Sequence, residues 1–184
     1  MIRIREESPG VLYSDESLVR IGREEVDFLA SRVESTPLKR IRLCAHRGIQ
    51  DRLQEMFIVH SRHTYIRPHR HVSKSESLLV LQGEADAVFF EDRGRIANVM
   101  RLGEYGSGHT FFYRIDDAVY HSLVIHSEIL AFMEATTGPF SRVDSEFAPW
   151  SPDPANLEGG RRYMAELAGA VNAYYREQGG RKAG

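Results

Sequence analysis

The sequence holds a single cysteine, Cys44, so no intramolecular disulfide is available to it and a reducing compartment suits it. No apolar stretch approaches the ~20 residues a membrane-spanning helix needs. The first residues, Met1-Ile-Arg-Ile-Arg-Glu-Glu-Ser-Pro9, lack the apolar core of a signal peptide. Charge of one sign is missing too. Twenty-four Lys and Arg stand against 26 Asp and Glu, and the formal net charge of −2 gives no reason to expect nucleic acid or an anionic membrane as partner. The expectation is a cytoplasmic protein whose partner is a small molecule. There is no internal repeat and no low-complexity block, and 184 residues suffice for one domain with a sizeable core.

Hydrophobic patterning divides the chain into three. Residues 1–39 form an N-terminal extension in which Val26, Leu29 and Val33 recur at helical spacing over Arg23 to Glu34, and Thr36-Pro37 ends that helix. From residue 40 to 137 the pattern becomes short apolar or alternating runs, among them Ile41 to Ala45, Met56 to Val59, Leu78 to Leu81, Ala87 to Phe90, Val119 to Ile125 and Ile129 to Met133. Many short strands separated by turn residues predict a sandwich or barrel, with Asp92-Arg-Gly94 as a hairpin turn. Residues 138–184 pass through a proline-rich segment, Ala148 to Pro154. They end in a helix marked by Tyr163, Leu167, Val171 and Tyr174, with Asn156 as its cap and Gln178 to Gly184 frayed.

The chemistry is concentrated in Arg67-Pro-His-Arg-His-Val-Ser-Lys-Ser-Glu76, followed by Leu78 to Leu81 and Gly83. On a strand, alternate side chains share a face, so His69 and His71 point one way and Arg70 the other. Glu76 opens an apolar run that reads as a second strand returning beside the first, which brings a carboxylate to the two imidazoles. Imidazoles with one carboxylate suit a divalent transition metal such as Fe, Mn, Ni or Zn, with positions left open for water or substrate.

The spacing His69-x-His71-x4-Glu76-x6-Gly83 resembles the first motif of the cupin superfamily in every position but the leading glycine, where His63 stands. The second cupin motif survives only in His121, the fourth ligand this resemblance implies. Asp116, Ala118 and Ile125 replace its proline, glycine and asparagine, and His109 is a weaker rival. Within the superfamily the chain is similar to the WbuC family of cupin fold metalloproteins, through Ile41 to His46, Tyr65 to His71, Gly138-Pro-Phe140 and Glu146 to Ser151. The resemblance implies an all-β double-stranded β-helix, a jelly-roll barrel, here with an N-terminal and a C-terminal helix. It also implies a link to surface-polysaccharide biosynthesis and a homodimer paired through strand edges.

Parity extended back from His69 places Arg67, Tyr65 and His63 on the ligand face. Arg67 is then a clamp for a substrate carboxylate or phosphate, or else a structural ion pair. His63, Tyr65 and Glu134 are the candidate acids and bases, with packed or solvated roles as the alternatives. His46 and His60 read as core or edge histidines, His109 and His126 as exposed, and Cys44 as a small core residue. Phe147 to Trp150 is either a lid or a staple of the tail to the exterior. The leading functional reading is an enzyme acting on a sugar or sugar acid, by Lewis-acid isomerisation, epimerisation or hydrolysis, or by dioxygen chemistry if the metal is iron. A non-catalytic, metal-dependent binding or regulatory protein is the alternative, and a purely structural metal the third.

Overall fold

The computed structural model describes residues 2–181, with side chains as far as Gly179. In chain order the elements are β1 (Ile4–Ser8), β2 (Val11–Ser14), α1 (Arg23–Val33), β3 (Arg40–Cys44), β4 (Leu53–Ser61), β5 (His69–His71), β6 (Glu76–Gln82), β7 (Ala85–Phe90), β8 (Ile96–Leu102), β9 (Phe112–Ile115), β10 (Tyr120–Ile125), β11 (Ile129–Thr137), β12 (Ser145–Phe147) and α2 (Leu157–Arg181). They form two sheets, ordered β1-β2-β3-β4-β11-β6-β9 and β12-β5-β10-β7-β8. From β4 to β11 the chain crosses repeatedly between them, the winding of a jelly-roll, double-stranded β-helix.

Alternation along each strand explains the layers. In β6, Glu76, Leu78 and Val80 are buried while Ser77, Leu79 and Leu81 are half-buried. Residues of one parity, including Cys44, Met56, Ile58, Leu78, Val80, Leu123, Leu130 and Phe132, pack between the sheets. The other parity faces outward: Ile41, Leu43, Val59 and Ala131 meet Leu29 and Val33 of α1. On the far side Val88, Phe90, Tyr120 and Val124 meet Leu167 and Val171 of α2. The Glu25 carboxylate accepts the Gly22 N–H at 2.9 Å and anchors the start of α1. At α2 the expected cap holds, Asn156 Oδ1 accepting the Gly159 N–H at 2.9 Å. The fraying expected after Gln178 falls partly on residues outside those described.

One expectation is corrected and one element was unforeseen. The strand that Glu76 opens does not return beside the histidine strand: β5 pairs with β10 and β12, and β6 with β11 and β9. Ser73, at a φ of 61°, turns the chain across to the opposite sheet. The hairpin of β1 and β2 was not anticipated, because Ile4-Arg-Glu-Glu-Ser8 carries a single apolar residue and joins the sheet through its main chain. Trp150 does staple the tail outside, packed on Phe90 and Tyr120. Among the described residues no helix is long and apolar enough to cross a membrane.

Gly83 closes β6 at a φ of +93°, where an added Cβ would stand 2.3 Å from Ile129 O and 2.5 Å from Ser127 Oγ. Gly83→Ala therefore meets both a strained backbone and a backbone contact that cannot swing aside. It should lower stability by about 2–3 kcal/mol in urea titrations. A loss under about 0.5 kcal/mol, the usual effect of a surface change, would show that the turn relaxes freely.

Candidate metal centre

His69 and His71 lie on β5, His121 lies directly across from His69 on β10, and Glu76 begins β6 in the facing sheet. On β10, Tyr120 and Val124 belong to the outer layer and Leu123 to the inner one, so parity turns His121 inward. The four side chains each bring one ligand atom to a single place, all within 4.8 Å of one another. Glu76 and His121 are only 4 and 5 % exposed.

The backbone fixes which nitrogen each imidazole offers. His69 Nδ1 lies 2.9 Å from Arg67 O and His121 Nδ1 3.0 Å from Val119 O. A carbonyl only accepts, so both Nδ1 atoms carry the proton and a neutral ring presents its Nε2 lone pair to the centre. His71 Nδ1 is held 3.0 Å from Ser145 Oγ on β12. Burial, then the neighbouring His121, pushes His69 down to about 3, so it is neutral near pH 7. Burial, the largest single influence, opposes ionisation of Glu76, but the His71 hydrogen bond and the influence of His121, His69 and His71 together outweigh it and hold the carboxyl low.

The Nε2 atoms of His121 and His71 then face a carboxylate, and at His71, whose Nδ1 meets a hydroxyl able to donate, Nε2 can carry the proton shared with Glu76. His71 Nε2 is 2.9 Å from Glu76 Oε2, and His121 Nε2 is 3.6 Å from Glu76 Oε1. Acceptors gathered so closely in a buried place repel unless a cation or proton lies between them. Three nitrogens and one oxygen fit a divalent transition metal, and a four-donor set leaves positions free on an ion that prefers five or six.

Glu134 of β11 shares parity with the inward Leu130 and Phe132 and stands opposite Leu78 and Met56. Its carboxyl is pushed up to about 8, first by burial and then by the charge of Glu76. Of the three candidate acids and bases, it alone faces the interior that holds the four ligands. Tyr65 donates its hydroxyl to Pro152 O at 2.9 Å and packs on Tyr163 of α2. His63 is exposed in the turn after β4. Arg67 donates to Ser151 Oγ at 3.0 Å, stacks 4.8 Å over Phe147 and approaches Asp153 at 3.8 Å. Parity did not carry back to these residues because the strand starts only at His69, directly after Pro68, whose nitrogen has no hydrogen to donate to a ladder.

Arg70 points outward as parity required, pairing with Glu146 and Asp92. His109 is exposed and outside the ligand group. His126 is not exposed as expected but half-buried, 2.7 Å from Asp86. Sequence reasoning passed over Ser145, which fixes His71, and Arg40 and Arg42 of β3. The alternation Arg40-Ile-Arg-Leu43 was the signal available for the two arginines.

A family model described as a domain of unknown function, DUF6016, matches residues 21–102. No curated protein matches. Among solved structures, protein SO0799 from Shewanella oneidensis is 10 % identical over 56 % of this chain and 66 % of its own, with a TM-score of 0.44. The Cnp3 cupin domain of Schizosaccharomyces pombe is 10 % identical over 54 % of this chain and 64 % of its own, at 0.42. Oxalate decarboxylase from Bacillus subtilis is 17 % identical over 65 % of this chain and 31 % of its own, at 0.42. The chain spans less than two thirds of the length of each of these three structures.

Proposed function

We propose that the protein is a metal-dependent cupin enzyme that binds one divalent transition metal through His69, His71, Glu76 and His121 and transforms a small polar molecule, a sugar or sugar acid, inside the barrel. The observation that carries the metal is the backbone-fixed pair His69 and His121, which turn Nε2 lone pairs toward a buried carboxylate. The sugar rests on the resemblance to a family associated with surface polysaccharides. In this reading the metal supplies Lewis-acid polarisation of a carbonyl, or dioxygen chemistry if it is iron. Glu134 is the group that moves a proton: its raised carboxyl holds one near neutral pH and can release it to, or recover it from, a substrate in the interior.

The test is metal content by mass spectrometry on untagged, anaerobically purified protein beside His69→Ala/His71→Ala, followed by turnover assays with sugar acids and keto acids. About one equivalent of a single transition metal, absent from the double variant, is expected. Protein that takes up no metal even on reconstitution overturns the reading. With a turnover assay in hand, Glu134→Gln should keep its metal and lose about 10²–10⁴-fold in kcat. Full activity in that variant would remove Glu134 from the chemistry, and metal without turnover on any substrate would favour the binding or regulatory role.

A further inference from the structure

The strand β3 carries two arginines whose partners are missing. Ile41 and Leu43 are fully buried on the α1 side, so Arg40 and Arg42 face the other way, sharing parity with Cys44 of the inner core. Arg42 is half-buried, and its Nε is buried with no hydrogen-bond partner; its other recorded contact is Nη1 at 4.0 Å from Met56 Sδ. Among the described residues neither arginine makes an ion pair with a carboxylate. In register with Arg40 stands His60 on β4, also on the inward parity, 6 % exposed and with its Nδ1 unpartnered. Buried polar atoms left without a partner cost stability, and Arg42 Nε and His60 Nδ1 lie on one interior wall with Arg40 at its exposed edge.

That wall lies within electrostatic reach of the metal ligand His69. His60 feels the charges of Arg40 and His69 after burial has pushed it down to about 3. Burial and the like charge of Arg42 push Arg40 down, and Glu134 lies within electrostatic reach of both arginines. Two guanidinium groups on alternate positions repel one another until an anion comes between them.

We infer that Arg40 and Arg42, with His60 beside them, form an anion subsite that takes the carboxylate of the substrate and holds it against the β3–β4 wall while its other end faces the metal ligands. The guanidinium fork matches a carboxylate bidentately. The Glu76 carboxylate in the same interior favours a singly charged group over a dianionic phosphate. This names the substrate class for the proposed enzyme and rests on that reading for the reacting end. The carboxylate contact itself needs no metal.

The test is isothermal titration of metal-stripped and metal-loaded protein with D-gluconate, pyruvate, D-glucose and inorganic phosphate. At least one carboxylate should bind both forms, and D-glucose should bind far more weakly. Arg42→Met and Arg40→Gln should each weaken that carboxylate by about tenfold or more, with Arg42→Lys recovering part of the loss. Arg40→Gln, at the exposed start of β3, tests the idea even if Arg42→Met folds poorly. Arg67→Gln, which alters the tail contact, should leave the affinity as it is.

Absence of carboxylate binding, equal binding by the Arg40 and Arg42 variants and the wild type, phosphate outcompeting every carboxylate, or a loss confined to Arg67→Gln overturns the assignment. Carboxylate binding that depends on Arg40 and Arg42 in a protein that takes up no metal would uphold the subsite while the metal reading fails.

Discussion

Glu76→Ala should abolish stoichiometric metal binding and lower the stability of the metal-free protein near neutral pH. Removing an outer hydrogen-bond partner of a ligand typically costs about 10–100-fold in metal affinity, and Glu76 provides the one carboxylate of the ligand group, so its loss should exceed that range. The stability effect has the same sign as an ordinary core truncation. In the metal-free state the folded environment holds the Glu76 carboxyl below its ordinary value, so its charge contributes stability near neutral pH, and taking it away removes the His71 contact along with some packing. Added metal should stabilise the wild type by about 2.7 kcal/mol at a hundredfold excess over Kd, read as a raised melting temperature, and leave Glu76→Ala unmoved. Equal metal-induced shifts in both proteins would show that the ion binds elsewhere.

What could be read beforehand follows from the range over which each rule acts. Period-two alternation holds inside a strand, so His69 and His71 were correctly placed on one face and Arg70 on the other. It stops at the strand's first residue, and extending it past Pro68 misdirected Tyr65 and Arg67 into the barrel when they tie down the tail instead. The distance from His71 to Glu76 was visible, but the path between them was not. A left-handed serine, Ser73, carries the chain to the other sheet, and nothing in the residues around it announces that.

Glu134 was legible as an interior acid or a solvated strand end; the parity it shares with Leu130 and Phe132 decides for the interior. Arg40 and Arg42 alternate with Ile41 and Leu43, but a strand covered on both faces gives no sign of which face meets the helix and which the barrel. His126 was misread as exposed because its partner Asp86 lies forty residues away in sequence. Pairings of that kind become visible only once β7 and β10 are adjacent.

Asp86 supports the second large expectation. It lies on the outward face of β7, 0 % exposed, and its two oxygens take three partners. Arg101 Nε is 3.0 Å from Oδ1, the Tyr175 hydroxyl of α2 donates to Oδ1 at 2.7 Å, and His126 Nε2 is 2.7 Å from Oδ2. The carboxylate thereby ties the C-terminal helix and the end of β10 to the middle of the smaller sheet. Asp86→Ala deletes the one acceptor these donors share and leaves Arg101 without its carboxylate. Breaking a fully buried pair from one side costs about 3–5 kcal/mol. Because Arg101 and His126 are about a third exposed and water can reach them, a smaller loss of about 2–3 kcal/mol is expected in urea unfolding near neutral pH.

The pH dependence has a definite sign. Burial alone would raise Asp86, but the hydrogen bonds from His126 and Tyr175, with the charge of Arg101, outweigh it and hold the carboxyl below its ordinary value. A group depressed on folding contributes stability that is present above its unfolded pKa, about 3.9 for Asp. That contribution is lost as pH falls through the folded value. The difference between wild type and Asp86→Ala should therefore be constant from near neutrality down to about pH 5 and shrink below about pH 4. A difference under about 1 kcal/mol at neutral pH would mean that α2 is held by the apolar contacts of Leu167 and Val171 alone. A difference that persisted undiminished into acid would mean that packing, not charge, is what Asp86 provides.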